Sequence, residues 1–153
     1  MSINFSEAVG AGFAEIVKGQ SGDITLRFAP LSAATVGQLV QRYAAITKRA
    51  LDDSIAESKP DAAAATAMRN QHRLISKRLD QISDYAFTTD GCVDICYESL
   101  KKSYPEVTRE NVEGLPADML FRVGLKLVGY EVEETKRETK EPDVKNAEGG
   151  SAQ

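Results

Sequence analysis

Cys92-Val93-Asp94-Ile95-Cys96-Tyr97-Glu98-Ser99-Leu100-Lys101-Lys102-Ser103-Tyr104-Pro105 sets apolar side chains at Val93, Cys96, Tyr97, Leu100 and Tyr104. Steps of three and four residues are those of a helix that buries one stripe, and Pro105 cannot continue it. Asp90-Gly91 opens this helix, with Asp90 as its expected cap and Asp94 near its positive end. Glu98 stands four residues before Lys102, the better order for an ion pair along a helix. Leu100 lies in the middle of the stripe and reads as core.

Downstream, Thr108 caps a single turn that closes at Glu113. Leu115-Pro116 then begins a last helix. Its Met119, Leu120, Phe121, Val123, Leu125, Leu127 and Val128 leave almost no polar face, which predicts packing on several sides and makes it the expected centre of the core, ended by Gly129. Residues 131–153 carry seven acidic and four basic residues, with Val132 and Val144 as the large apolar side chains. Such a stretch buries too little to offset chain entropy, so the expected division is a helical domain over 1–130 and a disordered acidic tail over 131–153.

Upstream, Ser32 caps a predicted long helix to about Glu57, striped by Val36, Leu39, Tyr43, Ile46 and Ala50. A second long helix is predicted from Pro60 to about Tyr85, carrying Met68, Ile75, Leu79, Ile82 and Ala86. Two amphipathic helices joined by Ser58-Lys59-Pro60-Asp61 form an antiparallel hairpin in the simplest arrangement. Before them, Ser6 is positioned to cap a short helix over Glu7 to Lys18, weakened by Gly10 and Gly12. Asp23-Ile24-Thr25-Leu26-Arg27-Phe28 alternates apolar and polar with period two, the pattern of a half-buried strand that Pro30 ends. A lone strand needs a partner, either Ile3-Asn4-Phe5 or a strand from another molecule, and the latter would make the chain a homo-oligomer. The fold class is therefore mainly α: a helical hairpin plus C-terminal helices, with one short N-terminal β-strand.

The 153 residues suit a single domain with a real core. Nineteen basic against 23 acidic residues give a net charge of -4, and the part before residue 131 holds 15 basic and 16 acidic. Neither balance favours nucleic-acid phosphates. Met1 to Glu7 has no secretory pattern, and no apolar run approaches the ~20 residues of a membrane helix, so a cytoplasmic protein is expected.

The chemistry-bearing residues read mainly as structural. Cys92 and Cys96, one helical turn apart, fit a buried reduced pair better than two metal ligands, since the one imidazole, His72, is distant in sequence. His72 falls between Met68 and Ile75 on the apolar seam of its helix, with no nucleophile motif beside it. Asp90, Asp94 and Glu98 share a helical face that suits a divalent cation in principle, against the capping and pairing roles above. Gly10-x-Gly12 lacks the Lys and Ser/Thr of a phosphate loop. No enzyme and no cofactor is expected. Arg69, Arg73, Lys77 and Arg78 form a basic ridge on the second helix, and Arg42, Lys48 and Arg49 a smaller one on the first. A ridge of this kind fits a solvated face, an acidic protein partner or a DNA contact.

The run Ile95-Cys96-Tyr97-Glu98-Ser99-Leu100-Lys101-Lys102-Ser103-Tyr104-Pro105-Glu106-Val107-Thr108-Arg109-Glu110-Asn111-Val112 resembles a segment of phage tail assembly chaperones. There a helix ending in Ala or Ser, Leu and a basic pair leads into His or Tyr, Pro, Glu, an aliphatic residue and Thr, then a short acidic helix. Ile24 to Ser32 is similar to the strand that opens those proteins, and the resemblance extends over about Asp23 to Tyr130. An alanine-rich insertion around Asp61 to Ala67 and the segment Ser2 to Lys18 depart from the pattern.

The resemblance implies a non-enzymatic protein of the host bacterial cytoplasm. Its expected partners are the tape measure protein, covered until the tube polymerises around it, and the tail tube protein. Candidate partner-binding residues are Leu39, Tyr43 and Ile46 on the first helix and Arg69, Arg73 and Lys77 on the second. The alternatives are a structural virion or tail protein retained in the particle, and a small helical DNA-binding regulator.

Overall fold

The computed structural model describes residues 12–130, and the chain is mainly α-helical with one β-hairpin. The elements are β1 (Phe13–Gly19), β2 (Gly22–Phe28), α1 (Ala33–Ser58), α2 (Ala62–Ile75), α3 (Gln81–Ala86), α4 (Thr89–Ser103), α5 (Arg109–Glu113) and α6 (Ala117–Leu127). The expected acidic tail and the Ile3-Asn4-Phe5 segment lie outside the described residues.

The strand over 23–28 forms as expected, and it pairs with a strand that the sequence pattern does not mark. This partner is β1, paired antiparallel in the register Val17 with Ile24 and Glu15 with Leu26, across a tight Gln20-Ser21 turn. The helix expected over Glu7 to Lys18 is thus overturned from Phe13 onward. Ile16 and Val17 are both apolar although they face opposite sides of the sheet, which hides the period of two and imitates helical spacing. Gly22 supplies the positive φ of 125° that closes the turn.

α1 begins where expected, with Ser32 Oγ accepting the amide of Thr35 at 3.2 Å. It ends at Lys59, a non-glycine residue in the left-handed region with φ 45°. Asp61 Oδ1 then accepts the amide of Ala64 at 2.7 Å and starts α2, with Pro60 just outside. The single long second helix is corrected: it stops at Ile75, and the chain turns through Ser76 to Asp80 before α3. The apolar stripe continues through Leu79 and Ile82, but the two pieces serve different neighbours. α2 lies along α1, while α3 turns Ile82 and Tyr85 into the core.

The cap of α4 also moves, from Asp90 to Thr88, whose Oγ1 accepts the amide of Gly91 at 3.0 Å. Gly91 is required there, because a Cβ would lie 1.7 Å from the carbonyl oxygen of Tyr85. Thr108 caps α5 as expected, and Asn111 answers it through a capping box. α6 ends in a Schellman motif. The amide of Tyr130 donates to Leu125 O at 3.0 Å, that of Gly129 to Lys126 O at 3.2 Å, and Gly129 has φ 96°.

The centre of the core is α4 rather than α6. One side of α4 packs Cys92, Val93, Cys96 and Leu100 with Phe28, Val112 and Val123, while Ile95 on its other side joins Leu39, Val40, Tyr85 and Leu125. α6 buries Met119, Leu120, Val123 and Leu125 yet leaves Phe121 exposed, where it meets Phe87. Both cysteines are free and buried, as expected. The end of α4 also latches the segment after β2: Ser99 Oγ donates to Ala29 O at 2.6 Å and Lys102 Nζ to Pro30 O at 3.0 Å. Glu98 accordingly pairs with Lys101, not Lys102.

Candidate partner-binding groove

α1 and α2 run antiparallel, as the expected hairpin requires. Near the turn Arg69 Nε lies 3.6 Å from Asp52, and farther from it His72 Nε2 lies 2.8 Å from Thr47 Oγ1. At ~1.5 Å per residue α1 is about 39 Å long. Between Val40 and Ile82 the one buried side chain is Ala65. Most of the hairpin is therefore an arm that stands clear of the core.

The two helices enclose an open groove of about 720 Å³. Ala44, Ala45 and Leu51 give it an apolar base, and Lys48, Asp52, Arg69, Arg73 and His72 line it. Three cations thus face one carboxylate, and that carboxylate is already beside Arg69. Among the described residues no ion pair engages Lys48 or Arg73. A slot of this composition suits a helix that presents an apolar ridge with acidic residues beside it.

The expected partner-binding residues separate. Arg69 and Arg73 line the groove, joined by Lys48 from α1. Tyr43 lines a smaller adjoining cleft with Thr47, His72 and Ile75, and its ring stacks on Tyr85 at 5.0 Å between centroids. Leu39 is 2% exposed and belongs to the chain's own core. Ile46 is 45% exposed but does not line the groove, and Lys77 lies exposed in the break after α2. The basic ridges are also interrupted: Arg78 turns to Asp80 at 2.5 Å, and Arg42 leaves the smaller ridge. Arg42 and Lys48, six positions apart, stand about 120° apart around a helix at 3.6 residues per turn, and it is the bond to Asp94 that takes Arg42 out of the ridge.

Arg42 instead takes part in the polar cluster that anchors the arm. Asp94, 3% exposed, accepts Arg42 Nη1 at 3.1 Å, Arg109 Nε at 2.9 Å and the hydroxyl of Tyr85. Arg109 reaches Glu113 and Asp90 as well. Burial pushes the Asp94 carboxyl up, but hydrogen bonds from Tyr85, Arg109 and Arg42 outweigh it and hold it below its ordinary range. Burial, then the bond to Asp94, raises the Tyr85 phenol. The cluster joins α1, α3, α4 and α5. It also leaves Asp94 facing two guanidinium groups, which removes it from any shared cation face with Asp90 and Glu98. Comparison of the chain with protein-family models, curated proteins and solved structures returned no match. Among the described residues no helix is long and apolar enough to cross a membrane.

Proposed function

We propose that the chain is a protein-binding module that holds an amphipathic helix of acidic character in the α1–α2 groove. The observation that carries this reading is the arm itself: a helical hairpin outside the core, with an apolar base and a surplus of positive charge. The resemblance of residues 95–112 to phage tail assembly chaperones narrows the occupant to the tape measure protein, a long helical polypeptide held soluble during tail assembly. On that reading no reaction is catalysed, and binding energy comes from apolar burial with charge setting orientation.

Co-expression with the tape measure protein of the same gene cluster tests it. The expected result is a soluble complex with the native chain, and loss of that complex with Arg69→Glu combined with Arg73→Glu, while the variant keeps its own melting temperature. A tape measure protein that stays insoluble with the native chain, or a complex indifferent to charge reversal, would overturn the proposal.

A further inference from the structure

The two-stranded sheet has two outer edges, and they differ. Arg27 N–H donates to the hydroxyl oxygen of Tyr104 at 3.1 Å, and that hydroxyl lies 3.4 Å from Thr25 O, to which it donates. The main-chain groups of Thr25 and Arg27 therefore point away from β1. In an antiparallel pair, facing residues either bond each other or both turn N–H and C=O outward, in alternation. Ala14 faces Arg27, Ile16 faces Thr25 and Lys18 faces Asp23. The outward groups of β1 are thus those of Ala14, Ile16 and Lys18.

Tyr104 closes the β2 edge, while among the described residues nothing bonds the β1 edge. All three residues are exposed, Ile16 by 66%, on the face of the sheet opposite Val17 and Leu26, which pack on the core. An open edge with an apolar side chain at its middle is a template for strand addition.

We propose that the β1 edge joins two copies of this chain, antiparallel about Ile16. A two-fold interface must be complementary to itself. The outward positions 14, 16 and 18 are symmetric about Ile16, so this register brings Ile16 opposite the partner's Ile16 and Ala14 opposite the partner's Lys18. It forms about six main-chain hydrogen bonds, whereas sliding by two residues loses one of the three bonded pairs. Charges agree as well: Lys18 meets Ala14, and on the other face Glu15 meets Val17, so no charge faces its like. Glu15 is held at 2.9 Å by Arg122 within its own chain. The inference is independent of the groove.

Sedimentation equilibrium of the full chain over a wide concentration range, with amide exchange by NMR, tests it. The expected result is a monomer–dimer equilibrium in which the amides of Ala14, Ile16 and Lys18 gain protection as concentration rises. Ile16→Lys, which sets two ammonium groups against each other, is expected to give a monomer with an unchanged circular dichroism spectrum. A native chain that stays monomeric would overturn the proposal. If deletion of residues 1–11 then produced the dimer, the chain's own N-terminus would be the strand that fills the edge. A dimer whose β1 amides exchange freely at high concentration would also overturn it, whatever Ile16→Lys does to folding.

Discussion

Arg42 Nη1 lies 3.1 Å from Asp94 Oδ2, tying the long first helix to the central helix at the point where the arm leaves the core. Asp94 is buried while the side chains of Arg42 and Arg109 stay partly in solvent. Loss of the carboxylate charge therefore leaves two cations that can rehydrate. Asp94→Asn is expected to cost about 1.5–3 kcal/mol, the range for a hydrogen bond to a charged group. Urea unfolding of the two proteins measures it, and equal midpoints would mean that the cluster does not hold the arm.

The same group sets an acid response. The folded chain holds the Asp94 carboxyl below its ordinary value, so the folded state binds this proton less readily than the unfolded state. Its contribution is complete above the unfolded value of about 4 and is lost as pH falls through the lower folded value. Melting temperature is expected to decline below about pH 4, and Asp94→Asn to flatten that decline. A variant with the acid profile of the parent would contradict this.

Leu100 and Ile46 separate core from arm. Leu100 is 2% exposed, so Leu100→Ala opens a cavity and is expected to cost ~2–5 kcal/mol. Ile46 is 45% exposed, and Ile46→Ala is expected to stay within ~0.5 kcal/mol. Thermal melts of the two variants give the comparison, and similar losses would place Ile46 in a folded contact.

Cys96 is expected to behave as an inert thiol. Burial, then the neighbouring Cys92, pushes it up to about 12. Reaction with a disulfide reagent at neutral pH should follow global unfolding, with a rate that rises in step with denaturant. Rapid labelling of the native chain would show local opening between α4 and α6.

Much of the architecture can be read from the residues, and the misreadings have physical causes. The alternation of Asp23 to Phe28 identified a strand because one face of it is wet. Its partner β1 was missed because Ile16 is apolar on the outer face, which is the feature that later marks an open edge. The break at Ser76 to Asp80 contains neither Gly nor Pro, so no local signal announces it; it follows from the demand of Ile82 and Tyr85 for the core. Arg69 and Arg73 were legible as a pair one turn apart. The role of Asp94 was not, although an acid between Val93 and Ile95 in a buried run is a signal that such a residue needs partners of its own. Leu39 shares the stripe of Tyr43 and Ile46, and only the point where α1 leaves the core separates interior from surface.

The near absence of buried side chains between Val40 and Ile82 has an evolutionary corollary. Whole helical turns can be inserted or removed on both sides of Lys59 without repacking the interior, so reach can be retuned while the body is conserved. A chain lengthened or shortened by matched turns in this limb would keep one unchanged body.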